Sequence, residues 1–183
     1  MSDVSSRYRK VADQFGARVD AVPAAAWDNP TPCEGWVARD IVRHMAEWMP
    51  ALFLASVGAP LPELPPVDAD PAATWRALDQ ALQAALDDPE VATRQVTTPV
   101  GAFSVTDAIG QFGLSDVLVH TWDLARATGL DEALDPAEVA RLLDGLAEVG
   151  DALEQSGHYG PRVPVPDDAD DQTRALALMG RGP

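Results

Sequence analysis

Apolar residues recur along this chain at steps of three and four, the period of helices with one buried face. Tyr8, Val11, Phe15 and Val19 predict a first helix from Ser5 to Val22, stopped by Pro23. Ile41, His44, Trp48 and Leu52 share one face of a second, from Val37 to about Ser56. Asp70 and Pro71 form an N-cap and first-turn pair for a third helix to about Leu86, packed through Trp75, Leu78, Leu82 and Leu86. A fourth runs unbroken from Ser104 to Gly129, capped by Ser104 or Thr106. Asp135, Pro136 and Glu138 open a fifth, with Val139, Leu142, Leu146, Val149 and Leu153 on one side. After Gly157 the prolines impose an extended tail, and Thr173 to Met179 makes a last short turn of helix. Between these elements, residues 23–36 read as an ordered turn packed by Trp27 and Trp36, and residues 57–71 as a proline-rich surface connection. The β-prone interval Asp87 to Phe103 is expected to be an extended crossover, because a lone hairpin is marginal in water. Helices without convincing strands predict an all-α bundle.

Two helices break the apolar pattern. On the fourth, Asp116 and His120 lie one turn apart on a face otherwise made by Ile109, Phe112 and Leu124. Burying such groups without partners costs about 2–7 kcal/mol each. A mutual hydrogen bond, an ordered water or a metal ion would satisfy them. His44 is the second inward-facing polar group, and it converges with that pair if the second and fourth helices are neighbours. Two histidines and a carboxylate suit Zn, Fe, Ni or Mn and leave coordination positions open. D-x-x-x-H on a helix is also the spacing of an ordinary ion pair or a satisfied core histidine. Gly110 and Gly113 weaken the same helix by about 1 kcal/mol each relative to Ala, and imply close packing or ligand access.

Composition narrows the chemistry. A chain of 183 residues, 46% hydrophobic, is sized for a single domain over residues 1–183. Its net charge of −16, with no basic run, argues against nucleic acid and anionic membranes as partners. Without a signal-peptide core or a long apolar span, the expected location is cytoplasmic. One cysteine, Cys33, excludes an internal disulfide and a multi-thiolate zinc site, so any metal must be held by His and carboxylate. Cys33 itself reads as a small buried residue at the bundle end, or as a nucleophile if a cation stands beside it. The tryptophans read as core, with Trp48 able to line a pocket. His158 reads as solvent-facing in a loop. Asp123 is expected to pair with Arg126, and Asp40 with Arg43 or Arg39.

The segment TPCEGWVARDIVRHMAEW, followed some seventy residues later by DVLVHTWDLARATG and at the end by ALMGRGP, resembles a known family. It is similar to the actinobacterial metal-binding proteins related to the N-terminal domain of mycothiol-dependent maleylpyruvate isomerase, within the DinB-like superfamily of four-helix bundles. The resemblance implies a DinB-like bundle with an additional helix and an extended C-terminal tail. It also implies a metal site whose ligands fall on His44, at the end of W-x-x-R-D-x-x-x-H, and on Asp116 and His120. Val37 departs from the Ser or Thr that related sequences carry as N-cap. The isomerase resembled has a second, C-terminal domain contributing to its active site, and this sequence ends before it, so maleylpyruvate isomerisation itself is not expected.

The resemblance implies a divalent transition metal, Zn first and Ni, Mn or Fe next, with mycothiol as thiol cosubstrate. The expected activity is that of a thiol-dependent transferase or isomerase acting on a small electrophilic molecule. The alternatives are a non-catalytic metal- or ligand-binding, stress-related accessory protein, and a helical scaffold whose His and Asp merely hydrogen-bond. Arg162 and Arg181 read as surface residues, or as groups that fold back to bind a carboxylate substrate. A homodimer is the default assembly. The preference for Arg over Lys, with Lys10 the sole lysine, is compatible with a mycothiol producer.

Overall fold

The structure, a computed structural model, describes residues 3–149 and 160–182. The expectations for Leu153, Gly157 and His158 lie outside the described residues. Helix α1 spans Asp3–Ala21, α2 Ala38–Phe53 and α3 Pro71–Asp87. A single turn, α4, follows at Pro89–Ala92. Strands β1 (Gln95–Thr98) and β2 (Gly101–Ser104) precede the rod formed by α5 (Val105–Ala108), a π-helical turn (Ile109–Gly113) and α6 (Leu114–Thr128). Helix α7 covers Pro136–Val149 and α8 covers Asp171–Leu178.

Helices α1, α2, α3 and α6 pack as the all-α bundle expected from the periodicity, with α1 against α3 and α6, and α2 against the same two. The interior is built from the positions that the apolar stripes marked. Tyr8 and Phe15 of α1, Ile41 and Met45 of α2, Leu78 and Leu82 of α3 and Trp122 of α6 are all sealed from solvent. Phe15 meets Trp75 edge to face at 4.5 Å, the arrangement that aromatic quadrupoles favour. Helix α7 is tied to α1 by the Arg7–Glu138 ion pair at 2.7 Å and by Lys10–Asp135, and α8 packs on α7.

Two expectations are corrected. Residues 87–103 are not an extended crossover: after α4 they enter an antiparallel hairpin pairing Gln95 with Ser104 and Thr98 with Gly101. The hairpin survives because it does not stand alone. Val96 is wholly buried in the bundle, and the Val105 amide donates to the Arg94 carbonyl at 2.9 Å, joining strand to helix. The rod from Ser104 to Gly129 is helical throughout, as expected, but not uniformly α. Its π turn takes in one more residue than an α turn and shifts the phase of the side chains ahead of α6. Ser104 is the cap, accepting from the Asp107 amide, and Gly129 closes the rod at φ 71°.

Helix α2 delivers its histidine without the usual hydroxyl cap. The backbone of residues 27–37 takes over: Ala38 N–H donates to the Asn29 carbonyl at 2.9 Å and Arg39 N–H to that of Trp27 at 3.1 Å. Asp40 Oδ2 reaches back to accept from the Val37 amide at 3.0 Å, half of a capping box. Asp40 also pairs with Arg43 at 3.3 Å, one of the two pairings expected of it.

Candidate metal centre

Helices α2 and α6 bring His44, Asp116 and His120 together. His44 Nε2 lies 3.4 Å from Asp116 Oδ2, and His120 Nε2 lies 3.5 Å from Asp116 Oδ1. Both separations exceed the roughly 2.7–3.2 Å of a good N–H···O hydrogen bond. The two contacts fall on different oxygens of Asp116, so its carboxylate stands between the two imidazoles with one oxygen facing each. One donor atom from each of the three residues can be chosen so that all lie within 4.8 Å of one another. The donor set is two imidazoles and one carboxylate, so the residues present fit a borderline divalent metal and leave a coordination position free.

The site is graded from buried to open. His120 is 5% exposed, whereas the His44 side chain retains 32% of its exposure and Asp116 21%. Aromatic rings wall the half-open side. The Trp36 ring lies 5.9 Å from His120, nearly parallel, and 5.1 Å from His44. Trp48, expected to line a pocket, donates its indole N–H to Asp116 Oδ2 at 3.1 Å. These contacts limit rotation of both imidazoles and of the carboxylate.

Behind His120 stands a group that the sequence reading assigned elsewhere. Asp123, expected to pair with Arg126, has no exposed surface and meets His120 Nδ1 at 2.9 Å. Arg126 instead pairs with Glu132 at 3.2 Å and sits over the Trp122 ring. Arg181, first read as a surface residue or a carboxylate binder, is 8% exposed and donates to Asp123 through Nη2 at 2.9 Å and Nε at 3.3 Å. Cys33 completes the cluster: its thiol donates to Asp123 Oδ2 and accepts from Arg181 Nη2, each at 3.4 Å. A second set of potential donors, Cys33, His120 and Asp123, therefore shares His120 with the first.

The charges follow from these contacts. Burial pulls the His120 imidazolium down, but the Asp116 charge, the hydrogen bonds with Asp123 and Cys33 and the Asp123 charge outweigh it and raise its pKa to about 10. Burial also opposes ionisation of Asp116 and Asp123. His120, His44 and Trp48 overcome it at Asp116, as His120 and Arg181 do at Asp123, and both carboxyls end below the usual range. Asp123 already receives Arg181 and is an acceptor, so the proton shared with His120 belongs on Nδ1, and Nε2 is the atom turned to Asp116. This carboxylate–histidine arrangement is the one that orients metal-binding imidazoles.

Residues 8–125 match the family model described as the mycothiol maleylpyruvate isomerase N-terminal domain. The chain belongs to this family. Membership places it among the DinB-like, mycothiol-related proteins, in agreement with the all-α bundle. Two curated relatives, both described as uncharacterized proteins of Mycobacterium tuberculosis, one from strain CDC 1551 / Oshkosh and one from strain H37Rv, are each 29% identical over 188 residues. The alignment covers 95% of this chain and 95% of each relative. No solved structure matches the chain. The matched region includes His44, Asp116, His120 and Asp123 and ends before the segment that supplies Arg181. Among the described residues no helix is long and apolar enough to cross a membrane.

Proposed function

We propose that this protein binds one divalent transition metal through His44, Asp116 and His120, and uses it in a mycothiol-dependent transferase or isomerase reaction on a small electrophile. Zn is the first candidate, ahead of Ni, Mn and Fe. The observation carrying this reading is the convergence of two imidazoles and one carboxylate from two helices, with one donor atom of each within 4.8 Å of the others. When bound, the metal supplies Lewis acidity that favours the thiolate form of a sulfur nucleophile. The chain's own residues do the remainder. Asp123 holds the proton on His120 Nδ1 and presents Nε2, and Trp48 fixes one Asp116 oxygen. Trp36 shields the buried histidine, while partly exposed His44 marks the side from which a thiol and an electrophile can enter.

The first experiment is elemental mass spectrometry on untagged protein, for wild type, His44→Ala and His120→Ala. The expected result is about one equivalent of transition metal in wild type and loss of it in both variants. Metal-loaded protein is then assayed for conjugation of mycothiol to a fluorogenic bimane electrophile. Wild type that binds no metal, even after reconstitution with Zn, Ni, Mn or Fe, overturns the metal reading. Stoichiometric metal without thiol chemistry points instead to the accessory binder.

A further inference from the structure

The C-terminal segment reaches the candidate metal centre through an arginine, and local geometry explains how. Helix α8 ends in a Schellman motif: Arg181 N–H donates to the Leu176 carbonyl at 3.0 Å and Gly180 N–H to that of Ala177 at 3.2 Å. Gly180 occupies the left-handed position, at φ 78°, that this motif requires. A Cβ there would also stand 2.7 Å from Gly160 Cα, so the two segments of the tail are in backbone contact at this point. The turn sends Arg181 back to the bundle, where its fork spans both oxygens of Asp123 and its Nη1 donates to the Met179 carbonyl at 2.9 Å.

We infer that Arg181 is a positioning residue for the metal centre, acting through Asp123 on His120, so that docking of the C-terminal tail is part of forming the site. The inference rests on the metal reading above and adds to it a residue 58 positions from Asp123 in the chain. His120 Nδ1 and the Cys33 thiol both contact Oδ2 of Asp123 and leave Oδ1 unheld, so these two contacts alone let the carboxylate turn about its own axis. Two donors from one planar guanidinium remove that freedom and hold the acceptor oxygen toward the imidazole. Loss of a carboxylate bonded directly to a ligating imidazole typically weakens metal binding about 10–100-fold, and the loss of Asp123 sets the upper limit on what Arg181 contributes through it.

The test compares zinc dissociation constants, by competition with a chromophoric chelator, and cobalt(II) absorption spectra for wild type, Asp123→Asn, Arg181→Met, Arg181→Lys, Gly180→Ala and the Asp123→Asn/Arg181→Met double variant. If Arg181 works through Asp123, Arg181→Met weakens zinc binding severalfold, by no more than Asp123→Asn does, and changes the cobalt ligand-field bands in the same direction. Arg181→Lys recovers only part of the loss, and the double variant is no weaker than Asp123→Asn alone. Gly180→Ala, which leaves every charge in place, weakens binding in the same direction by disturbing the turn. Should Arg181→Met fail to fold, Arg181→Lys and Gly180→Ala carry the same comparison. Wild-type affinity and spectra in the folded Arg181 and Gly180 variants overturn the inference while leaving the metal reading intact. A wild type that binds neither zinc nor cobalt overturns both.

Discussion

His120 lies between two carboxylates, Asp116 toward Nε2 and Asp123 at Nδ1, and in the absence of metal a proton supplies the positive charge between them. With its pKa raised to about 10, His120 is an imidazolium at pH 7. Binding a metal at Nε2 must then displace that proton, whereas Asp116, held below the usual carboxylate range, has none to give. Uptake at pH 7 is therefore expected to release close to one proton from His120. This group's contribution to affinity should rise roughly tenfold per pH unit up to about pH 10. Calorimetric titrations in buffers of differing ionisation enthalpy read the proton directly. Metal-free stability carries the opposite sign. The His120 pKa is raised above its ordinary 6.5, so its contribution is fully present below about pH 6.5 and is lost as pH rises through about 10. Alkaline unfolding of the metal-free wild type, compared with His120→Ala, checks that window. Loss of affinity with rising pH across 7 to 9 would contradict the arrangement.

At the scale of elements, the rod that carries Asp116 and His120 is adjusted upstream by its π turn, and the two glycines there have different surroundings. A methyl group at Gly113 would stand 3.3 Å from the Phe53 ring, which is fully buried, so the neighbour cannot retreat. One at Gly110 would meet Val4 at 3.1 Å, but Val4 sits in the first turn of α1 and is only partly buried. Replacing Gly by Ala gains about 1 kcal/mol of helix propensity, and overpacking a rigid core costs about 1–3 kcal/mol. Gly113→Ala is expected to lower stability by about 1 kcal/mol, a few degrees in Tm for a chain of this size, while Gly110→Ala is close to neutral. Thermal melts of the two single variants decide it, and a stabilised Gly113→Ala would show that the contact with Phe53 is not limiting. The glycines entered the sequence reading as signs of close packing or ligand access, and their surroundings favour packing.

The same rod shows what could be read in advance. Asp116 and His120 were legible because both lie on one regular helix, and His44 because it interrupts an apolar stripe. Asp123 was not, because Arg126 offered a partner three residues away while the arginine it pairs with stands 58 residues on, beyond a turn that only tertiary packing completes. The H-x-x-D spacing from His120 was the available signal. The hairpin escaped for a related reason: its stability comes from burying Val96 in the bundle, which no local pattern records.

For the molecule as a whole, the candidate centre is a cross-link between two helices of the bundle, since His44 comes from α2 and both other donors from α6. A ligand that binds only the folded chain stabilises it by about 2.7 kcal/mol when present at 100 times its Kd. For chains of 150–250 residues each kcal/mol moves Tm by about 2–4 °C, so saturating metal should raise the melting temperature by about 5–11 °C. The two histidine variants separate binding from folding. His44 keeps about a third of its side-chain exposure, so His44→Ala should melt near metal-free wild type and gain nothing from added metal. His120 is buried between two carboxylates, and removing it deprives Asp116 and Asp123 of their shared cation. His120→Ala should therefore melt below the metal-free protein and also show no metal-dependent shift. Differential scanning calorimetry of the three proteins with and without zinc makes the comparison. An undiminished shift in His44→Ala would place the stabilising metal away from the junction of α2 and α6.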